Sequence, residues 1–260
     1  MKPIIIASKK DPAGINIIEN LKKLKCKIPI ELIDNELIYS DNIDKDIDAD
    51  FIIFASKHRS EKEVKTLSIH TIGNFKKAEF GGKSEILCPS SALIFKHFFR
   101  ILNRIKQKYD LNYEVSMEAT HHGPYVETPS IFIEIGSTET EWKDAEAGEL
   151  IAEAIIEAIK SFDKNEKCKI AFGVGGKHYC NNFNEIQLNS DYALSFIMPE
   201  YSLPLTEKNL NELITKTKEK TEYVLVDWKG LGNADKRNQV LDLLKKSGLK
   251  IVKTSEAKVH

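Results

Sequence analysis

The stretch IFIEIGSTETEWKDAEAGELIAEAIIEAIKSFDKNEKCKIAFGV, residues 131–174, decides the fold class. Its first six residues form an apolar run typical of a β-strand, and residues 144–162 carry apolar side chains at helical spacing. A second apolar run at 169–174 completes a strand–helix–strand unit. Such units build sheets with mainly parallel strands, because the helix carries the chain back to the starting edge. The stretch therefore predicts an α/β protein.

The same alternation of strands and helices extends over the whole chain. Further strands are predicted at residues 3–7, 28–33, 51–56, 68–72, 113–117, 193–198, 223–226 and 250–253. Further helices are predicted at 12–24, 90–106, 207–218 and 234–246. The residues around 177–190 are hairpin-like and predict some antiparallel pairing. Since no repeat, low-complexity tract or Pro/Gly-rich linker interrupts the pattern, we predict one domain over residues 1–260, a layered mixed or parallel sheet flanked by helices.

The composition of the 260 residues is that of a globular protein, with 42% hydrophobic and 30% charged residues. That apolar fraction can bury a core and excludes a disordered or fibrous chain. No apolar run approaches the roughly 18 residues of a membrane span, and the apolar N-terminal run is too short for a signal peptide. The four cysteines are widely spaced and form no CxxC pair, which is typical of a reducing compartment. We therefore predict a cytoplasmic protein with no membrane partner.

The net charge of −1 hides two charged blocks of opposite sign. Residues 57–108 contain 12 Lys and Arg against four Glu, a local charge of +8, and residues 111–170 contain five Lys against 13 Asp and Glu, a local charge of −8. Since fields are screened within about 8–10 Å at physiological salt, the basic block can attract nucleic acid although the whole molecule is nearly neutral. The alternative is that Arg100, Arg104, Lys106 and Lys108 are only the solvated face of a helix.

The densest group of polar residues is MEATHHGP, residues 117–124, at the end of a predicted strand. In open α/β sheets this edge is where ligands bind. Adjacent histidines on an extended backbone point to opposite sides unless the chain turns at Thr120, whereas Glu118 and His122 share one side. This pair suits a general base with its orienting carboxylate, or a metal ligand with an outer partner. The alternative is a structural histidine bonded to a nearby carbonyl.

Other polar segments also follow predicted strands. GVGGKHY, residues 173–179, offers consecutive N–H groups that can cradle an anion or a developing oxyanion, although it matches neither a Walker A loop nor a dinucleotide fingerprint. In SKHRS, residues 56–60, an arginine beside histidine and serine suits contact with phosphate. HTIGN at 70–74 contains the end of another strand, and in DWKG at 227–230 Trp228 is either a stacking platform or a packing residue.

Glu134 alternates with three isoleucines in the strand at 131–136, so its side chain points away from theirs. A carboxylate in so apolar a run needs a cation, a metal or a backbone donor, unless it is exposed on an uncovered sheet face. Together, six polar segments that follow strands predict the active site of an α/β enzyme.

These segments combine into a family resemblance. EATHHGP at 118–124 is similar to the hallmark sequence of the archaeal and plant type of D-aminoacyl-tRNA deacylase. Supporting segments match in the same order: ASKHRS at 55–60, HTIGN at 70–74, EIGS at 134–137 and GVGGKHY at 173–179. The resemblance spans the whole chain.

The resemblance implies a hydrolase that cleaves the ester joining a D-amino acid to tRNA, a step of translational quality control. It implies a fold similar to peptidyl-tRNA hydrolases and phosphorylases, and dependence on zinc, which lowers the pKa of its water to about 7. We expect His121, Glu134 and His178 as zinc ligands, since they are N and O donors at three strand ends. The basic block at 57–108 is expected to hold the acceptor stem.

Roles for other residues follow from the same resemblance. Glu118 and His122 are expected to act as base and orienter, with the amides of Gly175 and Gly176 near the oxyanion. Substrate-binding residues are expected in the matching segments: His58, Arg59, Ser60, His70, Thr120 and Lys177. Of these, His58 and Arg59 are expected nearest the terminal adenosine.

Two other functions fit the same residues. One is a zinc-dependent amidohydrolase or peptidase acting on a small molecule, which predicts no salt-dependent binding of RNA. The other is a non-catalytic tRNA-binding module whose histidines stack on bases. The sequence indicates no obligatory protein partner.

Overall fold

The computed structural model describes residues 1–60 and 63–258, in which twelve strands alternate with eight α-helices. The strands are β1 Pro3–Ser8, β2 Ile30–Ile33, β3 Phe51–Arg59, β4 Thr66–His70, β5 Gly73–Asn74, β6 Ile86–Leu87, β7 Glu114–Met117, β8 Ser130–Ser137, β9 Lys169–Val174, β10 Tyr192–Met198, β11 Tyr223–Val226 and β12 Lys250–Lys253. The helices are α1 Pro12–Lys23, α2 Ala92–Lys106, α3 Glu139–Trp142, α4 Ala145–Ser161, α5 Asn181–Asn189, α6 Glu207–Thr215, α7 Ala234–Lys246 and α8 Thr254–Ala257. Glu61 and Lys62 of the predicted basic block lie outside the described residues.

The predicted α/β class is confirmed, and the ten predicted strands are all present. The hairpin predicted around residues 177–190 is wrong, because this segment contains helix α5. The helix begins after Cys180, which has a left-handed backbone with φ of 54°, and it buries Phe183, Ile186 and Gln187. These three residues recur at helical spacing, and a helix can bury all of them on one face.

Six strands form a mixed sheet in the order β2-β1-β3-β8-β4-β7. β3 and β8 run parallel, with Ser56 opposite Glu134. β4 runs antiparallel to β8, with Ser68 opposite Glu134, and β7 runs parallel to β4. β4 and β7 thus run against the other four strands of this sheet, and β5 and β6 form a separate antiparallel pair.

The two faces of the mixed sheet have different neighbours. Ile53 and Ile133 belong to the main hydrophobic core, together with buried side chains of α1, α2 and α4. Phe54 and Phe132 point to the other face, where their rings stack with centroids 4.9 Å apart. Because side chains along a strand alternate between faces, Glu134 shares the face of Phe132. Helices therefore cover one face and leave the other to a mixture of apolar and polar side chains.

Four parallel strands form a second sheet in the order β10-β9-β11-β12. Ala171 and Leu194 of this sheet lie in the main core that Ile53 also joins. Direct backbone bonds also connect the sheets, since Thr120 N donates to the carbonyl of Ile197 at 2.9 Å. Two sheets thus share one core, and the division of the chain into one domain stays a prediction. None of the described helices has both the length and the apolar character needed to cross a membrane.

Much of the basic block is neutralised inside the helical layer. Arg100 and Arg104 of α2 pair with Glu166 and Glu157, each at 2.7 Å. Lys96 of the same helix is buried, and its ammonium donates to three backbone carbonyls between residues 187 and 192 at 2.6–2.8 Å. The two predicted blocks of opposite charge therefore meet along α2. Elsewhere in the described part of the block, Lys65 pairs with Glu141 at 3.4 Å, and Lys57 and Lys83 lie over aromatic rings.

Candidate active site

Polar side chains gather on the second face of the mixed sheet, above the middle of β8. Ser56 of β3 and Ser68 of β4 lie directly opposite Glu134. His58 and His70 follow two residues later on these strands and share the same face. The sequence placed these residues at a carboxyl edge of the sheet. They meet on its face instead, because β4 runs against β3 and β8 and ends at the opposite edge.

Glu118 is the buried carboxylate at the centre of this group, directly after β7. Its Oε1 lies 3.0 Å from His58 Nδ1, and its Oε2 lies 2.9 Å from His178 Nε2. Among the described residues neither oxygen has a partner in hydrogen-bond alignment, so these contacts are ion pairs. Burial raises the pKa of Glu118, but contacts with His178 and His58 outweigh burial and hold this pKa well below its ordinary value.

The two histidines beside Glu118 are each backed by a tyrosine. Tyr179 Oη lies 3.0 Å from His58 Nε2, and Tyr201 Oη lies 3.3 Å from His178 Nδ1. Burial lowers the pKa of His58 and of His178, but the Glu118 carboxylate outweighs it and raises both above the ordinary value. A continuous chain of Tyr, His, Glu, His and Tyr results, and both imidazoles in it are biased toward the charged form.

Glu134 is the second buried carboxyl group of the site, with its Oε2 3.7 Å from His58 Nδ1 and 3.6 Å from His70 Nε2. Burial and the negative charge of Glu118 raise the pKa of Glu134 well above its ordinary value. The two acids therefore differ in direction: the pKa of Glu118 is lowered and that of Glu134 is raised. Glu134 lies between two imidazoles, and it is not exposed on an open face.

Three other histidines present their lone pairs to one another. The Nδ1 atoms of His70, His121 and His122 lie 3.1, 2.8 and 2.5 Å from backbone carbonyl oxygens. A carbonyl only accepts, so each Nδ1 carries the proton and each Nε2 keeps its lone pair. Burial, reinforced by the neighbouring histidines, lowers the pKa of His70 to about 4, that of His122 to about 3, and that of His121 as well. All three rings are neutral at physiological pH.

This histidine triplet, His70, His121 and His122, fits a zinc ion. Their ligand atoms lie within 4.8 Å of one another. His70 Nε2 is buried without a hydrogen bond in the described structure, and neutral imidazoles held through Nδ1–H are the form that binds zinc. Of the predicted ligands only His121 belongs to this triplet. His178 faces Glu118, and Glu134 lies between His58 and His70, so the predicted set of three is not brought together.

The backbone turns at His122, which has φ of 42° in the left-handed region. The turn brings the rings of His121 and His122 to one side, with centroids 4.3 Å apart. The assumption of an extended backbone was therefore wrong here, and the shared side of Glu118 and His122 is lost with it. Glu118 orients His58 and His178 instead, and the His122 ring packs edge-on against Phe132 at 4.9 Å.

Gly175 and Gly176 form the turn after β9, and both have left-handed φ values, 98° and 83°. The Gly175 amide donates to the carbonyl of Met198 at 2.8 Å, and the Gly176 amide donates to that of Gly230 at 3.2 Å. Because both donors are already bonded, they are not available to an oxyanion as the sequence predicted. These glycines allow close backbone approach, since a Cβ on Gly175 would lie 2.9 Å from the Asp227 carbonyl oxygen.

An open cleft of about 1020 Å³ gives solvent access to the cluster. Its wall includes most of the side chains described above and several predicted substrate-binding residues: His58, Arg59, Ser60, His121, His122, Glu134 and His178. Lys10 and Lys57 also line it. The cleft lining therefore combines imidazoles, three cations and five acidic side chains, Asp11, Glu36, Glu63, Glu134 and Glu139.

The other predicted substrate residues lie outside this lining. Thr120 is buried, and its hydroxyl bonds to that of Thr71 at 2.7 Å and accepts from Ile197 N at 3.1 Å, so it ties the two sheets together. Lys177 is exposed on the glycine turn. Trp228 packs in the core of the second sheet with the Arg237 guanidinium 4.8 Å from its ring, which supports its packing alternative.

The sequence analysis missed two residues that organise the site. Asp11 caps α1, and its Oδ2 accepts from Ser56 Oγ at 2.8 Å and from Lys57 N at 3.0 Å, so it holds the end of β3. An Asp-Pro pair before a predicted helix was the available signal. Tyr201 lies just after β10, where the search for polar residues beyond strand ends would have found it.

A buried carboxylate between two imidazoles, beside an open cleft, is an arrangement typical of α/β enzymes that use acid–base groups. A sequence profile of the D-aminoacyl-tRNA deacylase family matches residues 45–252. The chain belongs to that family, as the sequence resemblance predicted.

Individual relatives cover nearly the whole chain. The D-aminoacyl-tRNA deacylase of Pyrococcus furiosus is 36% identical over 96% of this chain and 99% of its own length. That of Methanococcus vannielii is 36% identical over 91% of this chain and 94% of its own length. The crystal structure of a conserved protein of unknown function is similar with a TM-score of 0.90 and 32% identity, covering 98% of this chain and 96% of that one.

Proposed function

We propose that this protein hydrolyses the ester bond between a D-amino acid and tRNA, and so recycles mischarged tRNA in translational quality control. The observation that carries the proposal is the contact of Glu118 with His178 beside the open cleft, in a chain of the D-aminoacyl-tRNA deacylase family. Ester hydrolysis needs an attacking water, a proton donor for the leaving ribose oxygen and a grip on the tRNA. Such a substrate also agrees with the predicted cytoplasmic location.

His178 is the proton donor in this proposal. Its side chain is 32% exposed, whereas that of Glu118 is fully buried, so the imidazole reaches the substrate and the carboxylate acts through it. The raised pKa of His178 keeps more of the ring protonated near neutral pH. Because Nε2 faces Glu118, the proton passes to the leaving ribose oxygen from Nδ1–H, which lies 3.3 Å from Tyr201 Oη, once the substrate takes the place of the tyrosine hydroxyl.

We propose further that His70, His121 and His122 hold the zinc ion that the family resemblance implies. The support is their neutral state, their carbonyl-bonded Nδ1 atoms and the unpaired Nε2 of buried His70. Bound zinc supplies Lewis acidity, which activates water and polarises carbonyl groups near neutral pH. Glu134 lies beside His70, and burial together with the charge of Glu118 raises its pKa and so favours its uncharged form.

The proposed grip on tRNA comes from the cations of the cleft, Lys10, Lys57 and Arg59. Arg100 and Arg104 are already paired with glutamates, so they contribute little to this surface. The acceptor stem is therefore proposed to follow the cleft wall and not helix α2.

The test is hydrolysis of D- and L-tyrosyl-tRNA, with and without a chelator, at several salt concentrations. We expect cleavage of the D-ester, loss on chelation, and RNA binding that weakens by about 0.7–0.9 log units per contacted phosphate per log unit of salt. Equal cleavage of both enantiomers would contradict the proofreading role. Binding without cleavage would favour the tRNA-binding module, and cleavage without salt-dependent binding would favour the small-molecule hydrolase.

Matched histidine variants separate the roles. His178→Ala is expected to abolish cleavage with RNA binding and zinc content unchanged, and His70→Ala is expected to lose zinc in metal analysis. His97→Ala is the control, since His97 Nε2 contacts the carbonyl of Ala158 far from this cluster. Zinc retained by His70→Ala would remove the histidine triplet as the metal site.

A further inference from the structure

Phe80 is a large aromatic side chain left exposed at the active-site cleft. It is 60% exposed, and it lines the cleft together with His121, His122 and His178. A single exposed apolar residue is ordinary on a protein surface. An exposed ring on the wall of the catalytic cavity is placed where a substrate passes.

The backbone around Phe80 is held in place. Its carbonyl accepts from Gly123 N at 2.9 Å, directly after the histidine pair. The next two residues, Gly81 and Gly82, have left-handed φ values of 69° and 74°, and a Cβ on Gly81 would lie 1.6 Å from the carbonyl oxygen of Ile38. The backbone conformation thus requires glycine at position 81. The backbone of Phe80 is fixed by its hydrogen bond to Gly123, the residue that follows His121 and His122.

The ring of Phe80 makes no aromatic or cation–π contact within residues 1–60 and 63–258. Trp142, the other large aromatic residue of the cleft, is already engaged. Its indole N–H donates to the carbonyl of His58 at 2.9 Å, and Lys57 Nζ lies 5.7 Å from its ring centroid. Phe80 is therefore the aromatic side chain of the cleft whose face is available to a ligand.

The surroundings of Phe80 indicate the kind of ligand. Leu37 and Ile38 also line the cleft, and its charged side chains are the cations Lys10, Lys57 and Arg59 together with the acids Asp11, Glu36, Glu63, Glu134 and Glu139. A flat apolar platform near several cations suits a nucleotide, whose base stacks on an aromatic face while its phosphate meets the cations.

We propose that Phe80 is the stacking platform for the 3′-terminal nucleobase of the substrate. This inference rests on the proposed function, because the base next to the aminoacyl ester must lie beside the cluster that cleaves it. The ring holds the base while the ester reaches His178. The sequence analysis placed His58 and Arg59 nearest the terminal adenosine; the His58 ring is buried against Glu118, and Arg59 lines the same cleft as Phe80.

The experiment measures binding of 2-aminopurine riboside 5′-monophosphate, whose fluorescence is quenched on stacking. The wild-type protein is expected to quench it, and Phe80→Trp is expected to preserve quenching. Phe80→Ala and Phe80→Leu are expected to weaken binding by about 5- to 150-fold, the range for removal of a base-stacking aromatic side chain. Phe80→Leu keeps apolar volume and removes only the planar face. Tyr39→Ala is the control, since Tyr39 is 57% exposed but does not line the cleft.

Unchanged binding in Phe80→Ala, or full binding in Phe80→Leu, would overturn the proposal. Deacylation is measured in parallel, where Phe80→Ala is expected to raise KM for D-tyrosyl-tRNA with kcat nearly constant, because the ring contacts the base equally in the ground state and in the transition state and does not touch the reacting ester. Failure of the wild-type protein to cleave D-tyrosyl-tRNA would overturn the proposed function alone. Nucleotide binding reports on Phe80 independently of that result.

Discussion

Glu118 Oε2 lies 2.9 Å from His178 Nε2, which joins a fully buried carboxylate to an imidazole that reaches the cleft. The carboxylate touches no solvent, so its influence on a substrate passes through the ring. The same carboxylate faces His58 with its other oxygen. One buried charge therefore raises the pKa of two histidines, His58 and His178. Of these two, we propose only His178 as the proton donor.

Glu118→Gln is expected to reduce kcat by about 100-fold or more, the scale of general acid–base catalysis. The amide keeps the shape of the side chain but removes the charge that raises the pKa of His178. An NMR titration of the histidine ring protons is expected to show the pKa of His178 falling in the variant. Glu114→Gln, an exposed substitution on the same strand β7, is the control. An unchanged His178 titration in Glu118→Gln would contradict the proposed coupling.

Tyr201→Phe is expected to lower kcat by about 3- to 10-fold with KM unchanged, because the hydroxyl 3.3 Å from His178 Nδ1 positions the ring. Tyr201 is a positioning residue, so the pH profile of kcat is expected to shift as well. Tyr39→Phe, which removes an exposed hydroxyl without a hydrogen bond in the described structure, is the control. A Tyr201→Phe enzyme with wild-type kcat and pH profile would show that the hydroxyl is dispensable.

Acid is expected to destabilise the chelator-treated protein through His70. Burial lowers its pKa from 6.5 to about 4, so the unfolded chain binds more protons than the folded one between these pH values. The stabilisation that the neutral His70 ring contributes to the free energy of unfolding is complete above pH 6.5. It is lost as pH falls toward 4, by about 3 kcal/mol in total. Urea unfolding at pH 7, 5.5 and 4.5 measures it.

His70→Asn is the matched variant for that experiment, since the asparagine amide can donate to the Thr71 carbonyl as Nδ1–H does, and it does not titrate. The difference in unfolding free energy between the two proteins is expected to change with pH by this amount. Identical pH dependence of the two proteins would show that His70 titrates normally in the fold. His58 and His178 have raised pKa values, so their contributions to the free energy of unfolding depend on pH in the opposite direction. They are present in both proteins and cancel in the difference.

Arg59→Gln is expected to weaken tRNA binding by about 3- to 10-fold and to lower the salt slope by about 0.7–0.9. Arg59 lines the cleft, whereas Arg104 of the same basic block pairs with Glu157 at 2.7 Å. Arg104→Gln is therefore expected to leave both quantities nearly unchanged. Filter binding of tRNA between about 50 and 200 mM salt distinguishes the two variants. Equal losses of tRNA affinity in both variants would indicate that the whole basic block at residues 57–108 binds tRNA.

The elements of the fold were predictable because they depend on neighbours along the chain. Strands β9, β11 and β12 and helix α7 begin and end where the apolar patterns place them. The sequence predicted that the Glu134 carboxyl needs a partner, since alternation puts it on the side of the strand away from the isoleucines. Its identity was not, because His58 and His70 come from strands that run in opposite directions.

The sequence by itself determined the α/β class, the chemical types gathered at the site and the family. These depend on periodicity and on short motifs, which local backbone geometry converts directly into structure. Only the tertiary structure decided which residues meet: the histidine triplet through the turn at His122, the Tyr201–His178 contact, and the bonded amides of Gly175 and Gly176. Such contacts depend on strand direction and on packing across the whole core, and residue spacing carries neither.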